Sequence, residues 1–189
     1  MRKLLTLSIA LLLIDASSTA QLINKILPSS QFSLTVARVV ESYQHNYGNI
    51  QGEALPPDDD RDIYKSTIQL PGASRCVIYR FHSVEDTTAS WQALLYSGED
   101  FKEASRVYKN CFRQLKQAKF KEGLKEHSLA GEMVPPTESL RFTTSILRPG
   151  VEQGIYKNFI AEIEMVNTLD GWMVHMNLHS RKDDDKRYQ

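Results

Sequence analysis

A single amphipathic segment, residues 97–118, divides this chain into two halves and constrains its fold more than any other stretch. Apolar side chains recur there at three- and four-residue steps, and charged side chains fill the positions between them. The spacing predicts a helix whose first turn is capped by Ser97, with Asp100 three positions on. Its apolar face consists of Phe101, Ala104, Tyr108, Cys111, Phe112, Leu115 and Ala118.

The two halves carry similar residue patterns, which indicate an internal duplication. A Pro-Pro pair at 56–57 corresponds to one at 135–136, and the pattern aromatic-x-hydroxyl-x-Ile-x-x-Pro-Gly at 64–72 recurs at 142–150. Trp91 corresponds to Trp172. Matched elements separated by connectors of unequal length are typical of a copied structural unit.

Each half is predicted to form a helix followed by three strands. The first helix begins at Ser29 or Ser30, runs to about Asn46 and is ended by Gly48. The connector 48–61 is predicted to be irregular, and the connector 119–137 to be irregular or partly helical. Alternating apolar residues predict strands at 63–70, 76–83, 89–96, 140–148, 155–166 and 172–180.

The resulting fold class is α+β, with two tandem helix-strand-strand-strand units at 21–96 and 97–181 in one compact domain. A three-stranded meander has two open edges, so two copies gain by joining their sheets. We therefore expect an antiparallel sheet of about six strands with two helices on one face. Two separate domains, each with its own sheet, are the alternative.

The ends of the chain differ from its middle. Two basic residues, an apolar run at 4–14 and small residues up to Ala20 are typical of a cleaved signal peptide at 1–20, which predicts a secreted or periplasmic protein. A buried amino-terminal helix is the alternative. No later stretch is long and apolar enough to be a transmembrane segment of the mature chain. Residues 182–189 form a charged, flexible tail.

Charge and cysteine content narrow the function further. The chain has 23 basic and 23 acidic residues, so no overall field favours nucleic acid as a partner. In an oxidising compartment, two cysteines without metal-like spacing favour a disulfide, here Cys76 with Cys111. Facing Cys76 toward the helix would, however, place Arg80 and His82 on the same side of the strand. A free Cys76 acting as a nucleophile with His82 or His127 is the alternative.

A strip of titratable side chains on the last two strands is the candidate catalytic site. If Met165 lies opposite Trp172, Glu162 lies opposite His175, with Glu164 and His179 on the same face. A carboxylate beside an imidazole can serve acid-base chemistry, although any solvated sheet face shows the same residues. His175 and His179 lie too far apart for one metal ion, so neither a metal nor another cofactor is expected.

Two functions remain after this reasoning. The first is a non-enzymatic binding module that recognises a protein or envelope ligand through its sheet face or through the groove between the repeats. The second is a small exported hydrolase that uses Glu162, Glu164, His175 and His179. A purely structural role in the cell envelope is a third possibility.

Overall fold

The computed structural model describes residues 29–58, 60–82, 88–151 and 153–181. The predicted signal peptide at 1–20 and the predicted tail at 182–189 lie outside these ranges. Within them the chain forms an antiparallel sheet of nine strands and two α-helices. The elements are α1 (Ser29–Ser42), β1 (Gln51–Asp58), β2 (Arg61–Ser66), β3 (Arg75–Phe81), β4 (Ser90–Gly98), α2 (Phe101–Gln117), β5 (Lys119–Glu122), β6 (Lys125–Ala130), β7 (Phe142–Pro149), β8 (Phe159–Thr168) and β9 (Gly171–Ser180).

The strands are ordered β1-β2-β3-β4-β9-β8-β7-β6-β5, so the last strands of the two halves meet at the centre. Trp91 lies opposite Leu178 at one end of the β4–β9 pair, and Gly98 lies opposite Trp172 at the other. This pairing gives both strands a neighbour on each side, and it makes the sheet continuous across the halves.

The prediction of about six strands in two three-stranded units is wrong, because the sheet has nine strands, four from the first half and five from the second. The six predicted strands all occur, and β1, β5 and β6 are additional. These three lie toward the sheet edges, where most side chains stay exposed. Edge strands therefore lack the apolar alternation that identifies a strand in sequence. The Pro56-Pro57 pair in β1 added to the impression of a connector.

Both helices pack against the same face of the sheet and against each other. The apolar face predicted for α2 is confirmed, since its side chains from Ala104 to Leu115 are buried and Phe101 is partly buried. The first helix gives way at Ser42 to a 3-10 turn, and the left-handed residues Asn46 and Tyr47 end it before Gly48. Neither described helix is long and apolar enough to cross a membrane.

Hydrogen bonds satisfy the polar groups that this core contains. Trp91 Nε1 donates to Ser66 Oγ at 2.9 Å, and the hydroxyls of Tyr108 and Ser145 lie 2.5 Å apart. Tyr47 donates its hydroxyl to the carbonyl of Leu178 at 3.0 Å. Each bond joins elements distant in sequence, so the core specifies the packing of helices on the sheet as well as burying apolar area.

The N-cap of α2 is Asp100, not Ser97 as predicted. One carboxylate oxygen of Asp100 accepts hydrogen bonds from the backbone amides of Lys102 at 2.8 Å and Glu103 at 3.3 Å. Ser97 instead belongs to β4, where it lies opposite Met173. The central strand therefore extends into the predicted helix, and the helix begins one turn later.

The predicted disulfide is not present, since Cys76 and Cys111 are both buried free thiols. Cys76 faces the helices opposite Ala93, and its sulfur accepts a hydrogen bond from the amide of Leu70 at 3.4 Å. Cys111 belongs to α2, which packs over β4 and β6 to β9 rather than over β3. The two thiols are therefore embedded in different parts of the core.

The conflict raised by Arg80 is resolved at the end of β3. Arg80 does face the same side as Cys76, but it lies beyond the core, where its guanidinium donates to Gln51 Oε1 at 2.7 Å and to the carbonyl of Asn46 at 3.0 Å. A cation at this position ties β1 and the end of the first helix to the sheet.

Replacing the cap of α2 should weaken the fold. We expect Asp100→Ala to lower the free energy of unfolding by about 1 kcal/mol, because two backbone amides lose their acceptor. Urea denaturation followed by circular dichroism measures the change. Asp100→Asn keeps an acceptor and serves as the control; equal losses in both variants would contradict the capping role.

The state of the cysteines can be measured directly. Under denaturing, non-reducing conditions we expect two thiols per chain to react with Ellman's reagent. In the native protein both should react slowly, because burial raises the pKa of the Cys76 and Cys111 thiols and blocks access to them. If no thiol reacts after denaturation, the two cysteines form the predicted disulfide after all.

A candidate binding groove on the outer face of the sheet

The predicted Glu/His strip lies on the outer face, the face of the sheet turned away from the helices. Its register differs from the prediction by two residues, because Glu164 lies opposite His175, and Glu162 opposite Asn177. Thr168 pairs with Gly171, so the tight turn consists of residues 169–170. Since side chains alternate with a period of two, this shift preserves the face and changes only the partners.

Glu162 and His179 form a close pair on this face. Nε2 of His179 lies 3.2 Å from Glu162 Oε2, and its Nδ1 lies 3.1 Å from the carbonyl oxygen of Ser180. The side chains are only 24% and 16% exposed for His179 and Glu162, respectively. The contact is diagonal, because the residue directly opposite His179 is Ile160.

His175 lies on the same face but does not join this pair. Its Nδ1 is buried and has no hydrogen-bond partner in the described part of the chain. Burial lowers the pKa of His175, and the nearby charge of Arg75 lowers it further. His175 therefore lies opposite Glu164 in the register, but its buried Nδ1 makes no hydrogen bond to the other residues of the predicted strip.

A chain of hydrogen bonds crosses four strands beside the Glu162–His179 pair. Tyr79 on β3 donates its hydroxyl to Gln92 Oε1 on β4 at 3.2 Å. Gln92 Nε2 then donates to Asn177 Oδ1 on β9 at 2.9 Å. Finally, Asn177 Nδ2 donates to Glu164 Oε2 on β8 at 2.7 Å. We call these four residues, Tyr79, Gln92, Asn177 and Glu164, the polar row.

Every donor in the polar row points toward Glu164, which fixes how both amides are oriented. Burial raises the pKa of Glu164. The bond from Asn177 opposes this effect, the charge of Glu162 adds to it and the nearby His179 opposes it. Glu164 is thus a carboxyl group held in one position, with its charged form disfavoured relative to a solvated glutamate.

A groove of about 340 Å³ lies over the polar row. At one end the Arg61 guanidinium stacks 4.4 Å from the centre of the Tyr79 ring and donates to Asp58 at 2.7 Å. Phe81 borders the groove with 45% of its surface exposed. The groove draws on β2 to β4 from the first half and on β8 and β9 from the second.

A larger depression, of about 440 Å³, lies at the carboxyl end of α1. Local structure accounts for polar groups there: Ser42 Oγ donates to the carbonyl of Arg38, and Thr67 Oγ1 donates to that of Ile50. In the outer-face groove the polar side chains instead bond to one another across strands. We therefore regard the smaller groove as the candidate site.

Sequence reasoning found Glu162, Glu164 and His179 but missed Tyr79, Gln92 and Asn177. The first three share one hairpin, whose alternation is readable along the chain. Asn177 lies on the same hairpin, but its amide does not titrate, so a search for titratable side chains passes over it. Tyr79 and Gln92 join the others only because β4 pairs with β9, a contact between residues 85 positions apart in sequence. No local pattern reports such a pairing.

The arrangement suits ligand binding better than proton transfer to a nucleophile. Both ring nitrogens of His179 already contact protein oxygens, and amides are neither acids nor bases near neutral pH. Cys76, the alternative nucleophile, faces the helices on the opposite side of the sheet. In the described ranges no group of three or more His, Cys, Asp or Glu side chains could hold a metal ion.

Comparisons of this chain with models of known families, with curated proteins and with solved structures found no match. What the groove binds must therefore be argued from its own side chains.

Proposed function

We propose that this chain is an exported, non-enzymatic binding module whose ligand, a protein or a component of the cell envelope, occupies the groove on the outer face. The polar row carries the proposal. It is a set of oriented amide, hydroxyl and carboxylate groups lying across the seam between the two halves. Preorganised groups of this kind lose little entropy when they bind a ligand.

The position of Glu164 supports a functional role for the polar row. A partly buried carboxyl group with a raised pKa lowers stability at neutral pH relative to a neutral residue of similar shape. Natural chains retain such unfavourable groups mainly where function needs them. A ligand that donates hydrogen bonds to Glu164 would compensate for the lost hydration of its charge.

The hydrolase remains a second candidate because of one contact, the 3.2 Å approach of His179 to Glu162. Such a pair could hold an imidazole in one orientation, as acid-base catalysis requires. Ligand binding would have to release one of the two ring nitrogens first. The binding proposal needs no such rearrangement.

Small organic probes can test where this protein binds ligands. We expect acetamide and isopropanol, added separately to the ¹⁵N-labelled protein, to shift backbone amide signals most strongly around Tyr79, Gln92 and Asn177. Gln92→Leu should reduce those shifts, whereas Gln69→Leu, whose side chain bonds to the Ser66 carbonyl away from the groove, should not. Shifts confined to the depression at the end of α1 would contradict the proposal.

Catalysis is tested separately. Turnover of p-nitrophenyl acetate by the wild-type protein that disappears in His179→Ala would favour the hydrolase and overturn the non-enzymatic proposal. If the protein is a binding module without catalytic activity, the wild type should release p-nitrophenol no faster than His179→Ala does.

The raised pKa of Glu164 predicts a distinct pH dependence of stability. Its folded-state pKa lies above the unfolded value, so its contribution to stability is present at low pH and is lost as the pH rises through the folded-state pKa. Between pH 4 and pH 7, Glu164→Gln should therefore gain stability relative to the wild type in urea denaturation.

Glu126→Gln provides a control of opposite sign. Lys119 holds the pKa of Glu126 below its ordinary value, through a hydrogen bond of 2.8 Å. The stability from that exposed pair is present above the unfolded pKa and is lost as the pH falls, so this variant should lose stability relative to the wild type as the pH rises. If the stabilities of Glu164→Gln and Glu126→Gln, relative to the wild type, change in the same direction as the pH rises, the environment described for Glu164 is wrong.

A further inference from the structure

We infer that the ligand of the outer-face groove is a neutral saccharide chain. The inference rests on the proposed function, because it names the chemical class that the groove would bind. It is drawn from the charge balance of the groove, from its planar polar groups, from its exposed aromatic ring and from its position within the sheet.

The charged and titratable groups around the groove have partners within the protein. Arg61 donates to Asp58 through two of its nitrogens, and His179 lies beside Glu162. The remaining carboxyl group, Glu164, accepts a hydrogen bond from Asn177. The carboxyl groups of Glu162 and Glu164 disfavour an anionic ligand, and the neutral amides beside them suit a ligand with hydroxyl groups.

The polar row supplies hydrogen-bonding groups that match sugar hydroxyls. Each amide nitrogen, in Gln92 and Asn177, uses one of its two hydrogens within the row and has a second. Glu164 accepts through Oε2 in the row and has a second carboxylate oxygen, Oε1. A hydroxyl both donates and accepts, so neighbouring hydroxyls of a pyranose can bond to an amide hydrogen and a carboxylate oxygen together.

Phe81 supplies an apolar surface at the edge of these polar groups. Nearly half of its surface is exposed, so the ring is open to a ligand. The face of an aromatic ring carries partial negative charge and attracts the weakly positive C–H groups on the face of a sugar ring. Tyr79 is less suited to this role because the Arg61 guanidinium already covers its ring.

A peptide ligand fits the same groove less well. Extended peptides commonly bind by adding a strand to a sheet edge, where backbone amides and carbonyls are open. The groove lies over β3, β4, β9 and β8, which are interior strands with partners on both sides. The edges of the sheet, β1 and β5, lie at its opposite ends. Interior strands use their backbone groups within the sheet, so this groove offers a ligand mainly side chains.

Isothermal titration with defined oligosaccharides tests the inference. The probes are maltohexaose, cellohexaose, chitohexaose and β-1,3-glucohexaose, each added to the wild-type protein at near-neutral pH. We expect saturable binding of at least one probe. Asn177→Ala should weaken that binding tenfold or more, and Phe81→Ala, which removes an exposed ring and should not disturb folding, fivefold or more.

Asn49→Ala is the matched control. It also truncates an amide, but at the end of α1, where Asn49 donates to Ser42, and its affinity should stay within twofold of the wild type. Circular dichroism identifies any variant that fails to fold, and Phe81→Ala then decides the outcome alone.

The inference fails if none of the four oligosaccharides binds, or if Asn177→Ala and Phe81→Ala bind as well as the wild type. A ten-residue poly-serine peptide is the competing probe. If it binds more tightly than all four oligosaccharides and acetamide displaces it from the groove, the groove is a peptide site instead. In those cases, amide-signal shifts caused by acetamide or isopropanol around the polar row would still support the binding module. If those shifts are absent too, both proposals fail. New reducing ends during the titration would indicate hydrolysis and overturn the non-enzymatic assignment.

Discussion

The antiparallel pairing of β4 with β9 is the interaction on which the rest of the structure depends. It turns the last strand of each half from an edge into an interior strand, so neither half exposes that row of backbone groups. It gives α1 and α2 one common face to cover, and the tryptophans at its two ends enter the same core. It also places Gln92 directly opposite Asn177 on the outer face. Core and groove are consequences of the same pairing.

The alternation of side chains along the strands separates these two roles. On β9 the buried residues Trp172, Val174 and Met176 face the helices, and the residues between them face outward. The helix face is apolar and its few polar groups are bonded inward, as between Tyr108 and Ser145. The outer face collects amides, carboxyls and imidazoles that bond sideways between strands. Stability is thus concentrated on one face, and the other can carry binding groups.

Much of this fold follows from local pattern, and the part that does not has a physical reason. The apolar face of α2 and the strands β2 to β4 and β7 to β9 were predictable because burial imposes a 3.6- or two-residue period. The edge strands β1 and β5, and β6 beside β5, have no such period, since water reaches most of their side chains. The predicted disulfide was wrong because the spacing of two cysteines does not report where their side chains point: Cys76 lies on β3 under the turn at Leu70, and Cys111 lies on the buried face of α2. All four residues of the predicted strip share the outer face of one hairpin, and in the described ranges Glu162 and His179 form the one hydrogen-bonding contact among them. The duplication itself remains a prediction.

The two-residue difference in the β8–β9 register shows how closely the groove depends on a single turn. Because Thr168 pairs with Gly171, Asn177 lies opposite Glu162 and reaches Glu164 diagonally, while His179 reaches Glu162 in the same sense. In the predicted register Glu162 would lie opposite His175. Asn177 would lie opposite Ile160, two residues from the position that brings it to Glu164. Gly171 has a φ of 105°, and a Cβ there would lie 2.7 Å from the carbonyl oxygen of Gly98, so only glycine fits without distortion.

A ligand that bridges Gln92 and Glu164 would bind only when both β4–β9 and β8–β9 hold their register. Its binding energy would therefore add to the stability of the seam between the halves.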